Sequence, residues 1–553
     1  MTARVRSIIE ALSICTALCA TAGRADSPAA RAAVALSGMV SSAAEGNMEG
    51  VLVSAQRQGS SISVTVVSDA HGHFEFPAGR LLPGRYALRI RAIGYEPDGP
   101  QAVDLPASGG DIDVRLAKAA DIAAQMTGTE WFMSMPGTPG QKEMLIECTA
   151  CHTLERIVRS KLTADELVPV LERMRTYANN TTPAVAQPNP SPRAGSQAQI
   201  RKLAAYIADI DLSRGPTWSY PLQTLPRPTG AATRMIVTEY DLPRRSIAPH
   251  DVRADAQGNV WYSDFVEPNL GRLDPHTGEV EEYALPIQKP GFPLGSLDLE
   301  ADQDGNLWLA LMFQSGLARF DLRTKTFRAF PLPPALDDPT TQQGMVVPDH
   351  AEVDGKVWTN GVFNQSILRL DLATGTYELI DPFKNLPKSP SHGPYGMVTD
   401  AGNNLYFMDF GGDDIGRVDA KTGRTTIYPT PTPRSWPRRG MIDDKGQLWF
   451  AEFAADKLAM FDTKKEAFKE WSVPTAYTYP YDAFLDRTGH VWSGSMASDR
   501  VLRFDPSSGA SVEYLLPRST NIRRVFVDNA TDPPTFWAGN NHGAAIVKLE
   551  TLR

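Results

Sequence analysis

Cys148, Cys151 and His152 stand in the run IECTACHTLER, residues 146–156. Cys-x-x-Cys-His is the attachment signal for a c-type haem. Two thiols one turn apart add across the two vinyl groups, and the adjacent His152 then lies under the iron as the proximal ligand. A disulfide between the two cysteines would leave the histidine without a role. A zinc site wants about four ligands, and no second cysteine pair is expected in the mature chain. A thioredoxin-like dithiol wants a βαβ setting, whereas these residues lie in a helical one. The sequence therefore predicts one covalent haem c, held by Cys148 and Cys151 and ligated by His152.

The elements around the motif read as helical over residues 123–213. A helix should start after Gly140 and run into the cysteines. LTADELVPVLERMRTY opens with Thr163 and Glu166 at capping-box spacing and puts Leu167, Val170, Leu171 and Met174 on one face. AQIRKLAAYIADI repeats the pattern, after a Pro-rich loop. MLIECTACHTLERI together with the helix ending in Arg173-Met174 resembles the haem-binding domain of the quinohaemoprotein amine dehydrogenase α subunit. That resemblance implies Met174 as the distal ligand, with Met126, Met133, Met135 and Met144 as weaker candidates upstream. No second haem motif and no quinone-bearing cysteine cage is present, so the amine dehydrogenase chemistry does not carry over.

Residues 234–553 repeat. The markers Trp261, Trp308, Trp358, Tyr406, Trp449, Trp492 and Trp537 recur every 43 to 50 residues, most in D-x-x-G-x-x-W. Strings such as GRLDPHTG and LRFDPSSG follow, and closers such as EYALP end the units. Four strands per unit at this period is a β-propeller blade, and seven markers give seven blades. The first strand, MIVTEYDLP, should close the ring beside the C-terminal strands. The turns entering each inner strand would line one channel mouth with His250, Asp251, Asp298, Asp349, His350, Tyr395, Arg438, Arg439, Tyr481, Asp482, Arg523 and Arg524. Packing demands none of these types, so their convergence reads as a site. His250, His350, Tyr481, Asp482 and Arg439 are the candidate catalytic groups, with the histidines as bases or ligands and Arg438, Arg439, Arg523 and Arg524 as anion clamps.

The repeat is similar to the virginiamycin B lyase (streptogramin lyase) propeller. That resemblance implies a magnesium-dependent C–O lyase with histidines in P-H turns and a Glu three residues after a blade's aromatic. Only His250 matches in frame, and His350 is shifted by one. The carboxylates at the third position are Asp264, Asp409 and Glu452. A channel metal such as Mg would then rest on His250 and Asp264.

Residues 34–118 read as short strands separated by turns, a β-sandwich of immunoglobulin or transthyretin type. The order SDAHGHFEFP to LLPGRYALRIRAIGYE resembles the carboxypeptidase regulatory-like domain, which implies an accessory module. Residues 214–233 read as a Pro-rich linker. Residues 1–25 read as an export signal: Arg4 and Arg6, an apolar run Ala11–Ala22, and Ala20-Thr21-Ala22 for cleavage. Cys15 and Cys19 leave with it. The chain should be periplasmic or secreted, with no transmembrane segment.

A net charge of −9 without a basic block argues against nucleic acid. The fold expectation is thus mainly β: a sandwich, a small cytochrome c domain and a seven-bladed propeller. The function expectation is electron transfer coupled to binding or oxidation of a small molecule at the channel, with a soluble redox partner. The alternatives are a metal-dependent lyase or hydrolase, and a non-catalytic binding propeller that carries a haem.

Overall fold

The computed structural model describes residues 34–552 apart from 193–195, 213–219, 363, 388 and 390–391. The export signal with Cys15 and Cys19, and residues 214–219 of the expected linker, lie outside the described residues. Mainly β structure surrounds one short helical region. No helix among the described residues is long and apolar enough to cross a membrane.

The sandwich forms where apolar and polar residues alternate. Val34–Ser42 is buried at every second residue from Leu36, as a half-buried strand requires. It pairs with His73–Pro77, Val114–Lys118 and two shorter strands. The facing sheet runs Ile62–Val67, Leu52–Arg57, Gly84–Arg91, Ala102–Leu105. Leu36, Val40, Val53, Val64, Phe74, Phe76 and Leu88 fill the space between them.

The repeat region folds into six separate four-stranded antiparallel sheets, beginning with Pro249–Ala254, Val260–Asp264, Asn269–Leu273 and Val280–Ala284. A further four strands, Val525–Asp528, Thr535–Asn540, Ala545–Thr551 and Met235–Asp241, belong to an eight-stranded sheet. First strands of successive sheets are neighbours, and Pro249–Ala254 neighbours Val525–Asp528, so the series returns on itself. The expected closure is present: Met235 pairs with Thr551 and Asp241 with Ala545. The other edge of the same strand pairs with the sandwich, Val237 opposite Thr65, which the sequence did not foretell.

The repeat motif has a local cause. Asp255 Oδ1 accepts the N–H groups of Gln257 and Asn259, each at 2.9 Å. Its Oδ2 accepts the indole N–H of Trp261 at 2.8 Å. Gly258 sits at φ +83°, where a side chain is strained. Asp302 with Trp308 and Asp486 with Trp492 repeat the arrangement. The motif therefore builds a hairpin turn and anchors a core tryptophan.

The helical region holds Gly128–Ser134, Pro139–Glu143, Glu155–Val158, Ala164–Met174 and Gln197–Ile210. Four of them carry reciprocal capping boxes, the expected Thr163 with Glu166 among them. The single helix expected through the cysteines is instead a short helix from Pro139, followed by a 3₁₀ turn Ile146–Ala150. The described part of the expected linker is docked: Tyr220 donates to Ile210 O at 2.9 Å and Arg227 Nε to Glu49 O at 2.9 Å.

Glu239 lies in the strand shared by sandwich and repeat region. Its carboxylate is fully buried and meets Arg89 at 3.0 Å and Arg518 at 2.8 Å. Glu239→Ala leaves both guanidiniums without it and is expected to cost about 2–4 kcal/mol. A fall in the urea midpoint with an unchanged m-value checks this.

Candidate functional site

Inner strands bring the same register position of each sheet to one axis. The outermost set is His250, Leu297, Met345, Tyr395, Arg438, Tyr481 and Arg523. Tyr395 and Tyr481 share a hydrogen bond between hydroxyls of 2.5 Å, and the Tyr481 hydroxyl stands 3.4 Å from His250 Nε2. His250 Nδ1 lies 2.5 Å from Asp251 Oδ1. Burial holds the His250 imidazole well below its ordinary value, and the guanidiniums of Arg523, Arg439, Arg438 and Arg524 add to it.

One residue further in, the charges pair off. Arg439, 1 % exposed, donates to both oxygens of Asp251 at 3.1 Å and also to Asp298. Arg524 meets Glu300 at 2.6 Å and Asp482 at 3.4 Å. Burial pushes Asp298 up to about 6 and raises Asp251, against the pull of Arg439.

Ten of the twelve expected channel residues meet in this way. The exception is the third sheet. Its inner strand is only Val346–Val347, and Met345 and Val346 take the two channel positions. Asp349 and His350 fall in the hairpin turn that follows. Asp349 is pushed up to about 7 by burial and by the charge of Glu300. His350 Nδ1 lies 3.0 Å from Thr399 Oγ1 and borders a separate polar cleft of about 530 Å³ with Asp400, Asp443 and Lys464. His350 is therefore not brought to His250.

Two of the three carboxylates that follow the aromatics by three residues, Asp264 and Asp409, accept backbone N–H groups, whereas both oxygens of Glu452 are buried without a hydrogen-bond partner among the described residues. Asp264 Oδ1 accepts the N–H groups of Ala248, Val266 and Glu267 at 3.0–3.2 Å. Asp409 Oδ1 accepts Gly393 N–H at 2.6 Å. A cation at His250 and Asp264 does not fit. The His250 Nδ1 is engaged by Asp251, four guanidiniums lie near the ring, and Asp251 and Asp298 are paired with Arg439, although Asp264 Oδ2 is buried without a partner among the described residues. Among the described residues a different trio, His392, Asp409 and Asp414, has its ligand atoms within 4.8 Å of one another. His392 Nδ1 is 2.5 Å from Asp409 Oδ2, and its ring stacks on Phe383 at 4.2 Å.

The cysteine motif lies against this mouth. Arg523 Nη2 donates to Ala150 O at 2.8 Å, and Asn521 Nδ2 to Thr149 O at 3.0 Å. The helical region reaches around the opening as well: Asn180 donates to Phe265 O and Gln187 to Leu294 O, while Phe132 stacks on Tyr477. His250, Asp251, Arg439 and Tyr481 are in consequence at most 1 % exposed. Cys148 and Cys151 are free thiols. Burial pushes Cys148 up to about 12 and also raises Cys151, the opposite of a reactive dithiol.

His152 borders a cavity of about 240 Å³, whose wall includes Met126, Trp131, Met496, Arg500 and His542. Of the motif, Thr149 and His152 line that cavity, whereas Cys148 and Cys151 are not part of its wall. Met174 is 40 % exposed on its helix and is not part of that wall. Met126, Met496 and His542 share the wall with His152. Met126 was a weaker candidate in the sequence, and the other two sit in the repeat region with no motif to mark them.

Comparison with known proteins bears on the two ends of the chain. The profile of the carboxypeptidase regulatory-like domain matches residues 35–117, and that of the virginiamycin B lyase family matches residues 385–552. A streptogramin B lyase structure aligns at 20 % identity and a TM-score of 0.51, covering 58 % of this chain and all of that one. The virginiamycin B lyase of Staphylococcus aureus aligns at 21 % and 0.49, with the same coverage. At this identity the likeness establishes a lyase-like propeller fold. No curated protein matches the chain.

Asp264 provides a test of the buried carboxylates. Burial pushes it up to about 7, so the folded state holds its proton more tightly than the unfolded chain. Its contribution to stability is present below the ordinary carboxylate range and is lost as pH rises toward 7. Asp264→Asn keeps the acceptor for the three N–H groups. It should remove part of the fall in unfolding free energy between pH 4 and 7, roughly 1 kcal/mol per pH unit at most, as measured by denaturation at several pH values.

Proposed function

We propose that this chain is an exported haem protein in which a seven-bladed propeller presents a small-molecule site at its channel mouth and a haem-bearing helical region covers it. The six separate sheets and the four-stranded part of the eight-stranded one are read as the seven blades. Cys148, Cys151 and His152 would hold one haem c. The haem would supply one-electron transfer. The chain's own groups at the mouth bind and orient the small molecule: Arg438 and Arg523 attract negative charge, and His250, kept neutral, can accept a proton at Nε2. Behind them the Arg439, Asp251 and Asp298 network holds His250 in place. Tyr481 and Asp482 complete the candidate set.

The observation that carries this reading is Arg523. One guanidinium reaches Ala150 O, inside the cysteine motif, and packs over Phe265 at 4.6 Å beside His250. A helical region unrelated to the channel would not dock its cofactor motif on the channel's polar mouth.

A second reading is a lyase or hydrolase of the virginiamycin B lyase kind. The profile match and the propeller likeness favour it. The sealed mouth and the paired carboxylates count against a metal-dependent version at His250 and Asp264.

Production of the mature protein with the cytochrome c maturation machinery separates the two. One covalent haem by intact mass and a c-type pyridine haemochrome spectrum are expected. Cys148→Ser together with Cys151→Ser should abolish both. Protein that leaves this machinery without haem would sink the first reading. Turnover of a streptogramin that stops on chelation would establish the second.

A further inference from the structure

Among the described residues the mouth carries two guanidiniums without a carboxylate partner, Arg523 buried and Arg438 half-buried. Arg439, Arg524 and Arg253 are matched by Asp251, Asp298, Asp482 and Glu300. Arg438 and Arg523 are not. Arg438 is enclosed by the rings of Tyr481 at 4.0 Å, Phe453 at 4.2 Å, Phe410 at 4.4 Å and Tyr395 at 5.6 Å. Its Nε is buried without a hydrogen-bond partner. Arg523 is 5 % exposed, and its partners are the neutral Asn521 Oδ1 and Ala150 O. Neither guanidinium meets a carboxylate among the described residues.

A buried cation such as Arg523 is costly without a counter-charge, and a second, half-buried one nearby adds to that cost. Aromatic faces offset part of that cost, but Arg438 Nε is left without an acceptor. Arg438 lies over the rings of Tyr395 and Tyr481, whose hydroxyls are bonded to each other. A carboxylate satisfies such an arrangement, because its two oxygens accept from a guanidinium fork and from hydroxyls together.

We propose that the channel mouth binds one carboxylate group, with Arg438 and Arg523 as its cationic partners and the Tyr395 and Tyr481 hydroxyls as further donors. This rests on reading the mouth as the ligand site. It narrows the substrate class to a small organic acid. The same chemistry has a second source, a propionate of a haem held at Cys148 and Cys151, close beside Arg523.

The test uses the full mature chain, made with and without haem maturation, and titrates acetate, lactate and succinate against chloride at equal ionic strength. The read-out is the melting temperature, with calorimetry for affinity. A saturable rise with at least one carboxylate in the haem-free protein is expected. Binding should weaken tenfold or more in Arg438→Met and in Arg523→Gln, and persist in Arg272→Gln on the outer surface. Methionine in place of Arg438 keeps the packing against the four rings, so that variant can fold. A rise that survives in the haem-bearing protein identifies a free acid as the ligand, whereas one confined to the haem-free protein identifies a propionate. Carboxylate binding by a chain that never acquires haem would end the haem reading and leave this one standing. No saturable rise with any of the three acids in the haem-free protein overturns the proposal.

Discussion

Strand Met235–Asp241 is the constraint on which the rest of the molecule depends. A ring of sheets has no free edges only if its ends are joined, and here the first strand of the repeat region joins the last by seven residue pairs. An edge strand offers unpaired N–H and C=O groups to any other chain. The same strand gives its second edge to Ile62–Val67 of the sandwich, so closure and protection come from one element. Because the ring is closed, inner-strand positions far apart in sequence are forced onto one axis. Asp251, Asp298, Arg439 and Asp482 meet there for that reason. Without closure, Arg439 would be a lone buried cation.

The same geometry explains which features were legible in the sequence. The D-x-x-G-x-x-W unit was readable because its hydrogen bonds are local: Asp255 satisfies groups two, four and six residues on. The capping boxes at Thr163 and Glu166 were readable for the same reason. Sheet three failed by a few residues. Its inner strand is two residues long, and the Pro-Asp-His that looked like a mouth turn is the hairpin after it. The continuation of the sandwich into the repeat region left no trace, because edge pairing uses backbone groups that every sequence possesses. The docking of the cysteine motif was hidden likewise, since Arg523 and Asn521 grip carbonyls of Thr149 and Ala150.

Met174 shows how a short helix can mislead. Its spacing from Leu167 and Leu171 suits one face of a helix, yet the helix carries Pro169 and buries only Leu167 fully. The periodic face was real, but the helix packs shallowly and its end is exposed. The methionines that share a wall with His152 come from a turn before the first helix and from the repeat region.

Charge balance decides how far the lyase likeness can be taken at the mouth. A divalent cation needs carboxylates or neutral histidines with free lone pairs. The inner carboxylates Asp251, Asp298, Asp482 and Glu300 are paired with arginines, and the outer position carries Arg438 and Arg523. The likeness is one of scaffold. On that scaffold the channel mouth is cationic, and the covering region places a cysteine motif against it. A site of that charge favours an anion over a divalent cation. The fold alone could not have distinguished the two, because blades of the same shape accept either set of side chains.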